Sequence, residues 1–116
     1  MTQEYNRYFL EYKMRNFAEA CSFINRVYKL NVDVFIRYFI SSGYAEEFED
    51  NNPSISYGLS GIELALRVME KVGYEFKETK EPSDIHHLVS YWAGYVIAYY
   101  QHVTKLTFSS ISLKVI

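Results

Sequence analysis

The sequence predicts an all-α fold, a single-domain bundle of about five helices formed by residues 1–116. Apolar residues recur at helical spacing over most of the chain, and 84–103 is apolar on more of its circumference than any other stretch. A capping box and several glycines mark where helices begin and end. The alternation typical of a strand is at most marginal, at 74–77 and 111–116. With 116 residues, 49% of them hydrophobic, the chain suits one core better than two.

Two apolar stripes in the first thirty residues are out of phase with each other. Between Gln3 and Met14, aromatic residues recur at i, i+3, i+4 and i+7, which indicates an amphipathic helix with an aromatic face: Tyr5, Tyr8, Phe9 and Tyr12. A second stripe begins after Asn16, which could cap it, and comprises Phe17, Ala20, Cys21, Ile24, Val27 and Tyr28. The change of phase favours two helices, or one kinked helix, over a single straight helix.

A third helix is predicted after Asn31, which is placed to cap it. Its apolar face comprises Val32, Phe35, Ile36, Phe39 and Ile40. Gly43 is placed to end it in the left-handed conformation, and residues 44–49 then add a short acidic turn of helix. Pro53 ends this turn because proline disfavours helix at the residue before it.

The capping box formed by Ser60 and Glu63 begins the clearest helix in the chain. Its predicted buried stripe comprises Ile62, Ala65, Leu66 and Met69, and Gly73 is placed to end it. The segment before it, residues 51–59, is expected to be irregular.

We predict that helix 84–103 is the centre of the bundle. Its broad apolar stripe comprises Ile85, Leu88, Val89, Trp92, Val96, Tyr99 and Val103, widened by Tyr95 and Tyr100. The opposite strip is small or weakly polar, so a second element could pack there as well: His87, Ser90, Gly94, Ala98 and Gln101. Ser83 is placed to cap this helix. We expect Trp92 in the core, where truncation to alanine would cost about 3–5 kcal/mol.

The tail after Thr104 has two interpretations. Phe108 and Ile111 could open a helix, whereas Ile111, Leu113 and Val115 alternate like a strand. Because the chain ends on Val-Ile, we expect this end to pack on the core, to pair with another chain, or to continue into a longer protein.

Composition limits the classes of function. A net charge of −2 and a pI near 5.9 provide no cationic field for nucleic acid or for an anionic membrane. The N-terminus lacks the apolar run of a signal peptide, and polar residues interrupt 84–103 well short of the about 20 apolar residues of a membrane span. A single cysteine, Cys21, excludes an internal disulfide. We therefore expect a cytoplasmic protein that does not bind membranes.

No set of catalytic or metal-binding residues is recognisable. His86 and His87 are adjacent and point about 100° apart on a helix, so they cannot hold one metal ion together. Cys21 has no histidine nearby in sequence, which is typical of an inert core thiol. Ile62 stands where a nucleophile elbow needs its second glycine. We predict no catalytic residue, no metal and no cofactor, and hence a non-enzymatic protein.

One candidate binding site is a helix N-terminus, formed by Gly58, Ser60 and Gly61, where free amides could hold a small anion. Such a protein, or an enzyme of this kind, would use Tyr91, Gln101 or His102 beside it. A plain capping box after a tight turn is the alternative interpretation.

The second candidate is an interaction surface that combines exposed tyrosines with an acidic patch. The chain has 12 tyrosines, a residue type favoured where a partner covers the surface. The predicted surface comprises Tyr5, Tyr8, Tyr12, Tyr44, Glu46, Glu47, Glu49 and Asp50. An aromatic-rich core is the alternative explanation for the tyrosines.

Nucleic-acid binding is a further alternative for the helix pair at 17–42, which has helix–turn–helix organisation. Its second helix carries Arg37 as its only basic residue and Asp33 at its start, so phosphate would be repelled there.

Two stretches, SYGLSGIELALRVMEKVG at 56–73 and YWAGYVIAYYQHVTKLTFSSI at 91–111, resemble small uncharacterised all-helical bacterial proteins. Some of those proteins are encoded in gene clusters resembling toxin–antitoxin or mobile-element defence modules. The resemblance implies a protein that binds a partner. We therefore expect a protein–protein interaction domain that holds another protein or a second copy of itself.

Overall fold

The fold is an all-α bundle. The computed structural model describes residues 3–52, 55, 58–74 and 86–115, with side chains from 8 to 111, and within these ranges it contains six helices and no strand. The predicted fold class is therefore confirmed. The helices are α1 Gln3–Tyr28, α2 Val32–Ser41, α3 Tyr44–Glu49, α4 Gly61–Lys71, α5 His87–Thr104 and α6 Phe108–Val115.

The first helix, α1, is one continuous element of 26 residues, so the predicted division into two helices near Asn16 was wrong. Asn16 is buried within α1, and its Nδ2 atom donates to the carbonyl of Leu59 at 3.1 Å. The change of phase has a different cause. Tyr8 and Tyr12 face outward, while the buried stripe runs without interruption through Met14, Phe17, Ala18, Cys21 and Ile24.

Five phenylalanine rings form the centre of the core and join four helices. They are Phe17 of α1, Phe35 and Phe39 of α2, Phe48 of α3 and Phe108 of α6, and none of them is exposed. The ring of Phe17 lies 5.2 to 6.1 Å from the four other centroids. Rings at these distances in tilted arrangements gain about 0.5–1.5 kcal/mol per pair beyond their burial.

Helices α4 and α5 both pack on α1, and each does so through a glycine. A Cβ atom on Gly61 of α4 would lie 2.5 Å from the backbone oxygen of Asn16, and one on Gly94 of α5 would lie 2.8 Å from Cys21 Sγ. No side chain fits at either position without moving α1. The backbones of these helices can therefore approach α1 more closely than larger residues would allow.

Helix α5 runs antiparallel to α1. Gly94 lies at Cys21, while at the two ends of α5 the charges of Arg26 and Lys13 act on His87 and His102, respectively. Both helices are long, so this is the most extensive interface between elements of the bundle.

The buried face of α5 is the opposite of the predicted one. Its buried residues are Ser90, Gly94, Ala98 and Gln101, the strip predicted to be small or weakly polar. Of the predicted apolar stripe, every described member is exposed: Leu88, Val89, Trp92, Val96, Tyr99 and Val103. Ile85 lies outside the described residues. The physical reason is the close approach to Ala18 and Cys21, which only small side chains permit.

The predicted buried face of α4 was also partly wrong. Its buried residues are Gly61, Leu64, Ala65, Val68 and Met69, whereas Ile62 and Leu66 of the predicted stripe are exposed. The buried set keeps helical spacing once Gly61 is counted as a contact residue.

Most predicted helix ends are confirmed. Gly43 and Gly73 adopt positive φ angles of 87° and 72° at the ends of α2 and α4. Asn31 occupies the N-cap position of α2, but its side chain makes no capping hydrogen bond, and its Oδ1 atom accepts from Asn25 Nδ2 at 3.4 Å. The short acidic turn is α3. The tail is helical through Val115, so the strand alternative was wrong there.

Three predictions fall wholly or mostly outside the described residues: the Ser83 cap, the role of Pro53, and the marginal strand at 74–77, of which only Tyr74 is described and is not in a strand. The residue before α5 that acts as its cap is His86, whose Nδ1 atom accepts from the amide of Leu88 at 3.2 Å.

We expect Phe17→Ala to lower the free energy of unfolding by about 3–5 kcal/mol, because Phe17 is fully buried among four rings. Trp92→Ala should cost less than about 1 kcal/mol in dilute protein, since 59% of Trp92 is exposed. Chemical denaturation of both variants checks this. A loss above about 3 kcal/mol for Trp92→Ala would place Trp92 in the core.

Gly94→Leu should force α5 away from α1 and lower the free energy of unfolding by about 2–3 kcal/mol, despite a gain of about 1 kcal/mol in helix propensity. Val96→Leu places the same residue type on the exposed side of the helix and is the matched control, with an expected change within about 0.5 kcal/mol in dilute protein. Thermal and urea unfolding measure both. Equal stability of the two variants would contradict the close contact at Gly94.

Candidate functional site

The most unusual surface of the molecule is the outer face of α5. We call the α5 apolar face the set of exposed residues Leu88, Val89, Trp92, Val96, Tyr99, Tyr100 and Val103. Their side chains are 43% to 60% exposed, and they follow one another along 16 residues of a single helix. Single exposed apolar residues are ordinary, but a contiguous set of this size is a common feature of interaction sites.

No formal charge interrupts this face. Helix α5 contains no Asp, Glu, Lys or Arg from His87 to Thr104. Trp92 lies at its centre, and its ring contacts those of Tyr91 and Tyr95 edge-on at centroid distances of 5.4 and 5.6 Å. Tyr95 packs on the core from the side, so it supports the position of the Trp92 ring. The face is therefore an apolar and aromatic surface with a fixed centre, the composition that protein interfaces favour.

Sequence reasoning missed this surface because it assigned the same residues to the core. The signal that could have revealed it is the run of small residues at Ser90, Gly94 and Ala98, spaced by four. Such a run allows two helices to approach closely, and it leaves the large side chains on the other side of the helix.

The residues of the predicted interaction surface differ in their exposure. Tyr8 and Tyr12 are exposed on α1, Tyr44 is half-buried, and the side chain of Tyr5 lies outside the described residues. Of the acidic patch, Glu46 and Asp50 are exposed. The carboxylate of Glu47 accepts from Asn52 Nδ2 at 3.4 Å. The role of these residues in binding stays a prediction.

Glu49 has a structural task of its own. Its Oε2 atom accepts a hydrogen bond of 2.7 Å from the backbone amide of Phe108, at the first residue of α6. Burial is the main cause of the raised pKa of this carboxyl group, with the charges of Asp50 and Glu46 adding to it. Glu49 therefore links α3 to α6 and holds the Phe108 ring in the core.

The helix start at Ser60 forms the predicted capping box in full. Ser60 Oγ accepts from the amide of Glu63 at 3.2 Å, and Glu63 Oε1 accepts from the amide of Ser60 at 3.3 Å. Gly61 packs on α1, and Gly58 is exposed. The capping box and the close packing account for these residues, and anion binding by Gly58, Ser60 and Gly61 stays a prediction that the contacts do not require.

Three further residues of the predicted small-ligand site lie on α5: Tyr91, Gln101 and His102. The side chain of Gln101 forms a hydrogen bond with the backbone. Its Nε2 atom donates to the carbonyl of Leu106 at 3.1 Å, beyond the end of the helix, where Lys105 adopts a positive φ of 62°. His102 is half-buried, and burial lowers its pKa, with Lys105 and Lys13 acting in the same direction.

Lys13 is the one buried cation among the described side chains, and it lies one turn of α1 before Asn16, where α4 approaches α1 closely. Its Nζ atom donates to the carbonyl of Phe48 at 2.9 Å and to Asn51 Oδ1 at 2.7 Å, and it lies 4.4 Å above the centroid of the Phe48 ring. Burial lowers the pKa of Lys13 to about 8, and the charge of Lys105 acts in the same direction.

A lysine with a lowered pKa can act as a nucleophile, but it must reach its substrate. Only 1% of Lys13 is exposed, and its ammonium group is enclosed by Phe48 and Asn51. The arrangement therefore joins α1 to the end of α3, and it provides no open cleft in which a substrate could meet the amine.

Two further properties concern the described ranges alone. None of the helices there combines the length and the hydropathy that crossing a bilayer requires. The described side chains also contain no group of three His, Cys, Asp or Glu residues that is close enough together to bind a metal ion.

Burial raises the pKa of the Cys21 thiol far above its ordinary value, which is consistent with its place against Gly94 in the core.

We predict that Lys13 makes stability depend on pH. Its pKa is about 8 in the folded protein against an ordinary value of 10.5, so the unfolded state binds more protons between these values. The free energy of unfolding should therefore rise with pH through this window, by about 2–4 kcal/mol from this group. Lys13→Met should remove that rise, measured as the difference between the urea unfolding curves of the two proteins.

The same substitution at the exposed Lys71 is the matched control and should leave the slope of stability against pH as in the unaltered protein. Parallel curves for the unaltered protein and Lys13→Met from pH 8 to 10.5 would mean that Lys13 is solvated in the folded state.

Comparison of the chain with protein-family models, with curated proteins and with solved structures finds no match.

Proposed function

We propose that this chain is a non-enzymatic protein–protein interaction domain that binds its partner through the α5 apolar face. One observation carries the proposal: seven large apolar side chains are exposed together on a helix without formal charge. Covering apolar surface stabilises a complex by roughly 25 cal/mol per Å², and aromatic residues at the centre of a patch contribute most of the binding energy. The expected resemblance to small all-helical bacterial proteins, some of them encoded in gene clusters resembling toxin–antitoxin or defence modules, would also imply a partner-binding role.

The geometry of the bundle supports this choice of face. Gly94 and its small neighbours hold α5 on α1, so the large side chains cannot rotate into the core without breaking that contact. A rigid helix that presents anchors at i, i+3, i+4 and i+7 is also a common way in which proteins recognise each other. On this proposal, the tyrosines and acidic residues of the predicted interaction surface lie at the edge of the interface or outside it.

A small-ligand function has weaker support. The described residues include an open depression lined by Tyr44, Arg67, Glu70 and Lys71, whose two cations could attract an anion. The charged side chains are exposed, and exposed ion pairs contribute little. The α5 apolar face is the stronger feature because burying it is favourable for any partner of matching shape.

Site-specific photo-crosslinking in the native host tests the proposal. A photo-reactive phenylalanine analogue in place of Val96 should give a discrete covalent adduct, because Val96 lies in the middle of the face. The same analogue in place of Leu66, 45% exposed on α4, is the matched control and should give none. No adduct from position 96, or equal adducts from both positions, would show that the α5 apolar face is not the binding surface.

A further inference from the structure

We infer that the partner on the α5 apolar face is a second copy of this chain, bound through antiparallel pairing of the two α5 helices. The inference rests on the proposed function and names the occupant of the proposed surface. Three features of the face support it: the spacing of its residues, the alternation of their sizes, and its lack of charge.

The spacing of the exposed residues is that of a helix–helix seam. Val89, Trp92, Val96, Tyr99 and Val103 follow one another at intervals of three, four, three and four residues. This is the a and d pattern of a two-helix coiled coil, which keeps one face towards a partner helix over the whole length. Leu88 and Tyr100 flank this seam. An α-helix of matching seam is therefore the element that fits the face best.

The sizes along the seam alternate. Valine occupies every first position, at 89, 96 and 103, and an aromatic residue occupies every second, at 92 and 99. Two such helices in parallel would place rings against rings and valines against valines, which leaves layers of unequal volume. In antiparallel pairing Val96 faces Trp92 of the other copy and Val89 faces Tyr99, so these layers have similar volumes and interdigitate, and Val103 lies at the end of the seam. The face is thus complementary to itself about a two-fold axis, the commonest symmetry of dimers.

Charge and area agree with this pairing. Because α5 carries no formal charge, two copies can approach each other without like-charge repulsion. A strongly charged partner would find no opposite charges on this face. The seven side chains expose on the order of 600–700 Å² in one copy, which approaches the ~800 Å² per partner of a stable interface. Half-buried neighbours such as Tyr91 and Tyr95 supply part of the remainder.

Analytical ultracentrifugation across a dilution series, with the fluorescence of Trp92 read on the same samples, tests the inference. Trp92 is the only tryptophan, so its emission reports on this face alone. We expect a species of twice 13.7 kDa that dissociates on dilution, while Trp92 emission shifts to longer wavelength and iodide quenching increases.

Val96→Glu places a charge in the middle of the seam and should raise the dissociation constant more than about a hundredfold, because each copy then buries an unpaired carboxylate. Leu66→Glu introduces the same charge at an exposed apolar residue of α4 and should leave the dissociation constant unchanged. Circular dichroism of both variants verifies that the helices are retained.

Four outcomes overturn the inference. If the protein forms a dimer that Val96→Glu does not weaken, the dimer uses another face. If the protein is a monomer that co-sediments with phosphatidylcholine vesicles, the α5 apolar face binds lipid. If the protein is a monomer at all concentrations and iodide quenches Trp92, the partner is not a second copy, but the proposed function is not contradicted. A monomer with Trp92 shielded from iodide shows that the chain itself covers the face, and it refutes the proposed function as well.

Discussion

The structure depends on the close approach of two long helices at Gly94. A side chain at this position would meet the sulfur of Cys21 and the backbone of Ala18, so only glycine allows α5 to lie where it does. Because protein interiors are packed to crystal-like density, that contact determines the rotation of α5 about its own axis. Everything on the far side of the helix then faces solvent, whatever its hydrophobicity.

In this arrangement, some apolar residues form the core, and those of the α5 apolar face remain exposed. Five phenylalanine rings contributed by α1, α2, α3 and α6 form the centre of the core, and α5 adds mainly Ala98 to the buried set. The largest residues of α5 are therefore exposed to solvent. An apolar face supported by a rigid bundle loses little conformational entropy when it is covered, which favours tight binding for a given area.

The polar residues of the bundle serve its assembly. Lys13 reaches the carbonyl of Phe48 at the end of α3, and Glu49 accepts the first amide of α6. Both contacts join elements far apart in sequence, and both place a charged group in an environment that disfavours its charge. A buried ionic group whose hydrogen bonds are satisfied can specify which elements meet, at some cost in stability.

Local signals in the sequence were sufficient for the fold class and for most helix ends. The capping box at Ser60 and the glycines at 43 and 73 act within a few residues of themselves, so their geometry does not depend on distant contacts. The continuity of α1 was predicted incorrectly because Tyr8 and Tyr12 lie on a different side of the helix from Phe17 and Cys21, and this change of phase was interpreted as a break or a kink. Periodicity shows that a helix has an apolar face, but it does not show which helix meets it.

What the sequence by itself determined is therefore where helices form and that charge and cysteine content disfavour several classes of function. Only the tertiary structure decided which side of α4 and α5 is buried. The physical reason is the same in both: Gly61 and Gly94 contribute almost nothing to a hydrophobic stripe, yet they set the distance of each helix from α1. Helix α5 is apolar on one side and small on the other, and steric fit at Cys21 decided between the two.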